Sequence, residues 1–244
     1  MTNVICDLHI IGTAQCFPLY WYEKRDKEEN SLDLDLGERE GDYIRHQGIT
    51  DYALKQFRTV YGDPKISRED IFYYVYGLLH SPEYRERFGA DLKKMLPRIP
   101  YAKDFRAFEK AGRKLADLHL HYERAVPCAL VQEEGSAASL RVDKLRFLDK
   151  KTKDTIIYNH TLSLTHIPAK AYEYQVNGKS ALEWVVERYS VTTDKASGIV
   201  NDPNLWCDEH NEPRYIVDLI KRVVTVSLET VDIVRSLPPL QELN

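Results

Sequence analysis

The sequence predicts an α+β fold: a helical lobe joined to a small mixed, mainly antiparallel sheet with two later helices. Three observations predict it. Residues 67–122 hold three helix signals in close succession. Beyond Val126-Pro127 the apolar residues gather into short runs rich in branched and aromatic side chains. Helical spacing then returns over Ala181 to Tyr189 and again after Pro213. We divide this one module into sub-lobes at residues 1–49, 50–124 and 125–244: N-terminal strands and a polar loop, the helical lobe, and the sheet with the C-terminal helices.

In chain order, the apolar clusters of residues 4–22 read as two strands around Gly12, the second confined to a sheet edge by Pro18. Glu23 to Gly48 is a long charged stretch with little apolar content. Its tip, residues 39–47, offers Arg45, His46 and Gln47, side chains able to read base edges; it reads equally as an acidic connector. Thr50-Asp51 caps a helix through Val60, closed by Gly62-Asp63-Pro64. Ser67 and Asp70 have the spacing of a capping box, opening the apolar run Ile71 to Leu79. Ser81-Pro82 starts the next helix, which Pro97 and Pro100 stop near Leu96. A further helix begins near Asp104, with Phe105, Phe108, Leu115, Leu118 and Tyr122 on one side. Lys103, Arg106, Lys110, Arg113 and Lys114 line the other side as a basic stripe.

The strand-like runs are Cys128 to Gln132, Leu140 to Leu148, Thr155 to Tyr158 and Leu162 to Ile167. Glu134-Gly135-Ser136 is assigned to a turn, and Asp149 to Asp154 to a hairpin tip bearing Lys150, Lys151 and Lys153. Ser180 with Glu183 forms another capping box, Ser190 to Glu212 reads as irregular, and Pro213 opens a final helix to about Ser236.

Hydrophobic residues at 43% and charged residues at 30% describe an ordinary globular chain. No apolar run approaches a membrane span, no signal-peptide layout is present, and four cysteines make no disulfide framework, so a reducing cytoplasm is expected. A net charge of −4 disfavours a wholly nucleic-acid-binding surface but permits a local basic face, because phosphate attraction acts over roughly 8–10 Å. Most of the sixteen tyrosines are expected in packing roles.

Catalytic signatures are missing. Leu237-Pro238-Pro239-Leu240 is the wrong context for a base-flipping methyltransferase loop, and Gly178-Lys179-Ser180 lacks the glycine a phosphate cradle needs where Glu173 stands. The Asp-x-Lys spacings at Asp91 and Asp149 are short chance matches. Cys207 and His210 have no second pair for zinc, and His119 and His121 point to different sides of a helix. What remains is binding. Lys103, Arg106, Lys110, Arg113, Lys114, Lys150, Lys151 and Lys153 are candidate phosphate contacts, and Arg45, His46, Gln47 and Lys179 candidate base readers. Each also reads as part of an ordinary solvated face.

Several long phrases in order also carry a resemblance. They are YVYGLLHSPEYRERF at 74–88, LPRIPYAKDFRAFEKAGRKLADLHLHYE at 96–123 and YEYQVNGKSALEWVVERYSV at 172–191. FPLYWY at 17–22, ITDYAL at 49–54 and YIVDLIKRVVTVSLETVDIV at 215–234 extend the match over nearly the whole chain. Together they resemble the C-terminal specificity domain of Type ISP restriction-modification enzymes. The resemblance implies a non-catalytic module that reads a short, asymmetric site on double-stranded DNA for a longer polypeptide with nuclease, helicase and adenine-methyltransferase parts. S-adenosylmethionine, ATP and Mg would then belong to those other parts, with no cofactor or metal in this chain. Its partners would be DNA and the methyltransferase domain of the same polypeptide, with no membrane. A family member would continue upstream into that domain, whereas this sequence begins at Met1, as an excised piece or a stand-alone gene product. The alternative is a helical scaffold that packs against the methyltransferase domain and makes few base contacts.

Overall fold

The computed structural model describes residues 1, 16–24, 38–92 and 97–243, which form two compact units. The first comprises Met1–Asp117 with Leu237–Asn244, and the second Leu118–Ser236. Helices and small antiparallel sheets give the α+β class expected from the sequence.

The first unit opens with a three-stranded sheet of β1 (Tyr20–Lys24), β2 (Glu38–Glu40) and β3 (Tyr43–Gln47), ordered β1-β3-β2. Residues 39–47, expected as a loop tip, are therefore a hairpin. Glu40 pairs with Tyr43 across a two-residue turn in which Gly41 has φ +60°, the left-handed backbone such a turn requires. The strand expected before Gly12, and residues 93–96, lie outside the described residues.

Four helices follow: α1 (Asp51–Tyr61), α2 (Arg68–His80), α3 (Pro82–Leu92) and α4 (Phe105–Leu120), the last passing from the first unit into the second. Local chemistry sets their ends. The Thr50 hydroxyl accepts the Ala53 N–H, Gly62 closes α1 at φ +61°, and Ser67 and Asp70 make the reciprocal capping box of α2. Phe57, Tyr61, Tyr74, Tyr101 and Phe105 form an aromatic cluster in the core.

Residues 97–103 form no helix, because their prolines remove backbone donors. Tyrosine hydroxyls serve the carbonyls instead: Tyr84 donates to Arg98 at 2.7 Å, Tyr74 to Pro100 at 2.6 Å and Tyr61 to Ala102 at 2.8 Å. This accounts for part of the high tyrosine count. The last residues complete the unit. Lys103 N–H donates to Gln241 O, Leu243 N–H to Tyr101 O, Leu240 N–H to Glu83, and Leu240 itself is buried.

In the second unit, β4 (Gln132–Gly135), β5 (Arg146–Phe147), β6 (Ile156–Ile157) and β7 (Leu162–Thr165) form an antiparallel sheet ordered β4-β7-β6-β5. The strand expected at Cys128–Gln132 is displaced toward the residues assigned to a turn. Gln132 to Gly135 pair with Thr165 to Leu162 although three of the four are polar, because pairing with a buried neighbour decides the strand. Of Leu140 to Leu148, only Arg146 and Phe147 pair.

Two short hairpins, β8–β9 (Gln175–Val176, Lys179–Ser180) and β10–β11 (Thr192–Thr193, Val200–Asn201), flank α5 (Ala181–Arg188). The stretch expected to be irregular holds β10, β11 and α6 (Asn204–His210), a helix that ends at Asn211 with φ +55°. The 21-residue α7 (Tyr215–Arg235) lays Ile216, Leu219, Ile220, Val223 and Val224 into the core, alongside Ile156, Leu164 and Leu182. Each such side chain contributes about 1.5–3 kcal/mol on burial.

Glu183 ties α5 to the preceding hairpin. Its carboxylate accepts the Ser180 N–H at 2.9 Å, the Ser180 hydroxyl at 2.8 Å and the Lys153 ammonium at 2.6 Å. Lys153 chiefly, aided by the serine hydrogen bonds, draws its pKa from 4.5 down to about 2 against the cost of burial. A carboxyl depressed on folding contributes stability above its unfolded pKa and loses it as pH falls through the folded value. Unfolding midpoints are therefore expected to drop between pH 4.5 and about 2, and Glu183→Gln to flatten that pH dependence in equilibrium denaturation.

Candidate nucleic-acid interface

The basic stripe of α4 divides into two kinds of residue. Arg106 donates to Asp63 at 2.7 Å and Asp70 at 2.9 Å. Arg113 donates to Asp70 at 2.6 Å and to Glu109, and its guanidinium lies 4.5 Å from the centre of the Tyr73 ring. Burial pushes the Asp70 carboxyl up, but the Ser67 N–H and the two guanidiniums outweigh it and hold its pKa below the ordinary carboxylate range. Asp63 is likewise held low, by Arg106 first. Both arginines thus already neutralise protein carboxylates. Lys103, Lys110 and Lys114 are exposed and carry no ion pair among the described residues, so this trio is available to an external anion.

Arg45, His46 and Gln47 lie side by side on β3. Arg45 pairs with Glu38 and its guanidinium stands 4.6 Å from the Tyr20 ring centre, while Tyr20 donates to Glu69 of α2 at 2.8 Å. His46 stacks on Trp21 with centroids 3.9 Å apart and contacts Glu23 through Nε2 at 3.1 Å. Alternation along the strand sends Arg45 and Gln47 to one face with Tyr22 and Tyr43, and His46 to the other with Trp21. Gln47, Tyr22 and Tyr43 are exposed.

In the second unit, Lys150 and Lys151 are exposed on the turn between β5 and β6, with the Lys151 N–H bonded to Asp149 at 2.7 Å. Lys153 turns inward at φ +51°, to Glu183 and toward the Phe147 and Tyr172 rings. Lys179 pairs with Glu187 and stands 4.8 Å from the Trp184 ring centre.

One constellation escaped the sequence reading. Residues 139–144 form an irregular loop whose backbone is held by two buried side-chain amides. Asn204 accepts the Val142 N–H at 2.8 Å and donates to Val142 O at 2.9 Å. Asn159 donates to Ser139 O and Arg141 O, each at 3.0 Å, and accepts from the Thr161 and Leu162 N–H groups. Arg141, Asp143, Lys144 and His160 project around a groove of about 490 Å³. The turn signal Asn159-His160-Thr161 was the only local clue, since Asn204 comes from a distant helix.

Among the described residues, no group of three or more His, Cys, Asp or Glu side chains is placed to hold a metal ion, and no helix is long and apolar enough to cross a membrane.

A family model for the Type ISP C-terminal specificity domain matches residues 1–219. Among the solved structures that resemble the chain are three complexes with DNA or a DNA mimic. The ATP-dependent Type ISP restriction-modification enzyme LlaBIII bound to DNA is 37% identical with a TM-score of 0.79, over 93% of this chain and 14% of its own. A nuclease-deletion mutant of the Type ISP enzyme LlaGI, in complex with a DNA substrate mimic, is 41% identical with a TM-score of 0.70, over 82% and 17%. A cryoEM structure of a DrdV–DNA complex is 33% identical with a TM-score of 0.79, over 98% and 23%. The chain thus spans less than a quarter of each of these proteins. No curated protein matches it.

Proposed function

We propose, since the chain belongs to the Type ISP C-terminal specificity domain family, that it reads a short asymmetric site on double-stranded DNA for a restriction-modification enzyme. The observation that carries this reading is the likeness, at 33–41% identity, to three proteins whose structures hold DNA or a DNA mimic. In this reading the chain is itself non-catalytic and works in the cytoplasm. S-adenosylmethionine, ATP and Mg would serve other parts of the polypeptide, and the methyltransferase domain would hold the duplex from the opposite side.

The three lysines of the first unit, Lys103, Lys110 and Lys114, together with Lys150 and Lys151, neutralise phosphates and fix register without reading sequence. Arg106 and Arg113 of the first unit and Lys153 of the second are held by protein carboxylates that an external phosphate would have to displace, so each orders its own surroundings rather than contacting phosphate. Gln47, exposed beside Arg45 and His46, presents hydrogen-bonding groups suited to base edges, while Arg45 and Lys179 would read a base only by leaving Glu38 and Glu187.

Selection of the chain against randomised duplexes at moderate salt tests the proposal. Enrichment of one short asymmetric sequence is expected; retention without enrichment would reduce the role to phosphate binding, and no retention even at low salt would overturn it. The slope of log affinity against log salt is about −0.9 per phosphate contact, so Lys110→Gln with Lys114→Gln is expected to make it shallower by about two.

A second reading, a scaffold docked on another protein domain, is favoured by one feature. Ile199, Val200, Leu205 and Trp206 are exposed apolar residues clustered in sequence around β11 and α6. Binding insensitive to salt would support that reading instead.

A further inference from the structure

We propose that the groove beside residues 139–144 is a base-reading site, with Asp143, Lys144 and His160 among its readers and Arg141 as a fixed wall. This inference rests on the DNA-binding function proposed above and adds to it a site on the second unit.

Three features carry it. The first is preorganisation. Residues outside regular structure normally owe their conformation to weak local contacts, but here Val142 is bonded through both its N–H and its C=O by one buried amide, as a strand neighbour would bond it. Asn159 engages Ser139 and Arg141 on the same loop, and the Val191 N–H donates to Asp143 O at 2.8 Å. Asn159 and Asn204 are only 5% and 3% exposed, so their hydrogen bonds are sheltered from competing water. The loop's inward side chain, Val142, is buried, and its neighbours point out. A rigid backbone presenting exposed polar side chains is what discrimination between base pairs requires, since a reader that can rearrange accepts the wrong partner.

The second feature is which groups are exposed. The side chains of Asp143 and His160 are 64% and 79% exposed, with Oδ2 and Nδ1 3.5 Å apart, and Lys144 is exposed without an ion pair among the described residues. Arg141 is anchored to Asp208 at 2.6 Å and Asp202 at 3.5 Å, which fixes its guanidinium at the rim.

The third is charge balance. Arg141 and Lys144 face Asp143, Asp202 and Asp208, so the groove has no net positive charge with which to hold a phosphate. It offers donors and acceptors together, as the edges of base pairs do: a carboxylate accepts from the cytosine amino group, and an ammonium donates to guanine. The polar walls fit a base edge better than an apolar small molecule.

The test repeats the duplex selection with Asp143→Asn, Lys144→Ala and His160→Ala, each confirmed to keep the wild-type unfolding midpoint. None of these side chains is buried, so folding is expected to survive. Asp143→Asn and Lys144→Ala are expected to change or relax the preferred base at one or two positions, with a loss of about tenfold to a hundredfold on the wild-type site and an unchanged salt slope. His160→Ala is expected to relax one position adjoining that of Asp143. If wild type enriches one sequence and all three variants enrich the same sequence equally, the inference is overturned while the DNA-reading function stands. A uniform loss across sequences with a shallower salt slope would make these residues phosphate contacts and overturn it as well. If wild type itself enriches nothing, the proposed function fails and this inference with it.

Discussion

Replacing Gly112 with alanine is expected to lower the unfolding free energy by about 3 kcal/mol, the upper end of what overpacking costs. Helices α2 and α4 meet at Gly77 and Gly112 with their backbones in contact. A Cβ on Gly112 would lie 1.8 Å from Tyr73 O and 2.8 Å from Gly77 N, and one on Gly77 would lie 2.2 Å from Phe108 O. The obstructing atoms are main chain, which cannot rotate away as a side chain would, so the helices must separate. Separation loosens the packing of Tyr74 and Phe108, both buried where these helices meet. Alanine's better helix propensity, about 1 kcal/mol, acts the other way and is outweighed. Gly89 in α3 supplies the control. Its Cβ would meet nothing within 4 Å, so Gly89→Ala is expected to be neutral or stabilising. Urea denaturation at neutral pH separates the two outcomes, and equal losses for both would refute the close-contact explanation.

The second large effect is expected at Asp70, which serves two structures at once. It completes the capping box of α2 and accepts from both Arg106 and Arg113 of α4. Asp70→Ala is expected to cost about 2–3 kcal/mol. This is below the roughly 3–5 kcal/mol of a fully buried pair, because both guanidiniums remain partly solvated. Their side chains are 41% and 39% exposed, against 14% for Asp70. Combined with Arg113→Met, the losses should fall short of additivity by roughly 1 kcal/mol, as expected for residues in one network. Since the folded Asp70 carboxyl has a lowered pKa, its contribution is present at neutral pH and fades on acidification. The variant should therefore lose part of the wild type's sensitivity below about pH 4. Full additivity would show that the arginines stabilise α4 by some other contact.

What could be read from the sequence followed the range of the forces involved. Ser67–Asp70 and Ser180–Glu183 were legible because a capping box is complete within four residues. Gly62 marked the end of α1 for an equally local reason. The hairpin over residues 38–47 had a local signal too, Gly41-Asp42 between paired residues, but the surrounding charges masked it. Arg106 and Arg113 could not be judged from a helical wheel, since Asp63 and Asp70 reach them from 36–43 residues earlier in the chain. The same distance hid the 139–144 loop, which Asn204 holds from 62 residues away. The family was legible because long phrases record a whole fold, whereas the readers of a site depend on contacts no phrase contains.

The return of residues 237–243 to the first unit has a consequence for synthesis. The Tyr101 carbonyl, the Lys103 amide and the core position filled by Leu240 wait for a segment made after the entire second unit. As the chain leaves the ribosome, the first unit cannot complete its core until residues 237–243 have followed α7 out. The usual order, amino-terminal body first, is thereby set back for the first unit's closure. A ribosome stalled within α7 would hold a first unit with an unfilled core.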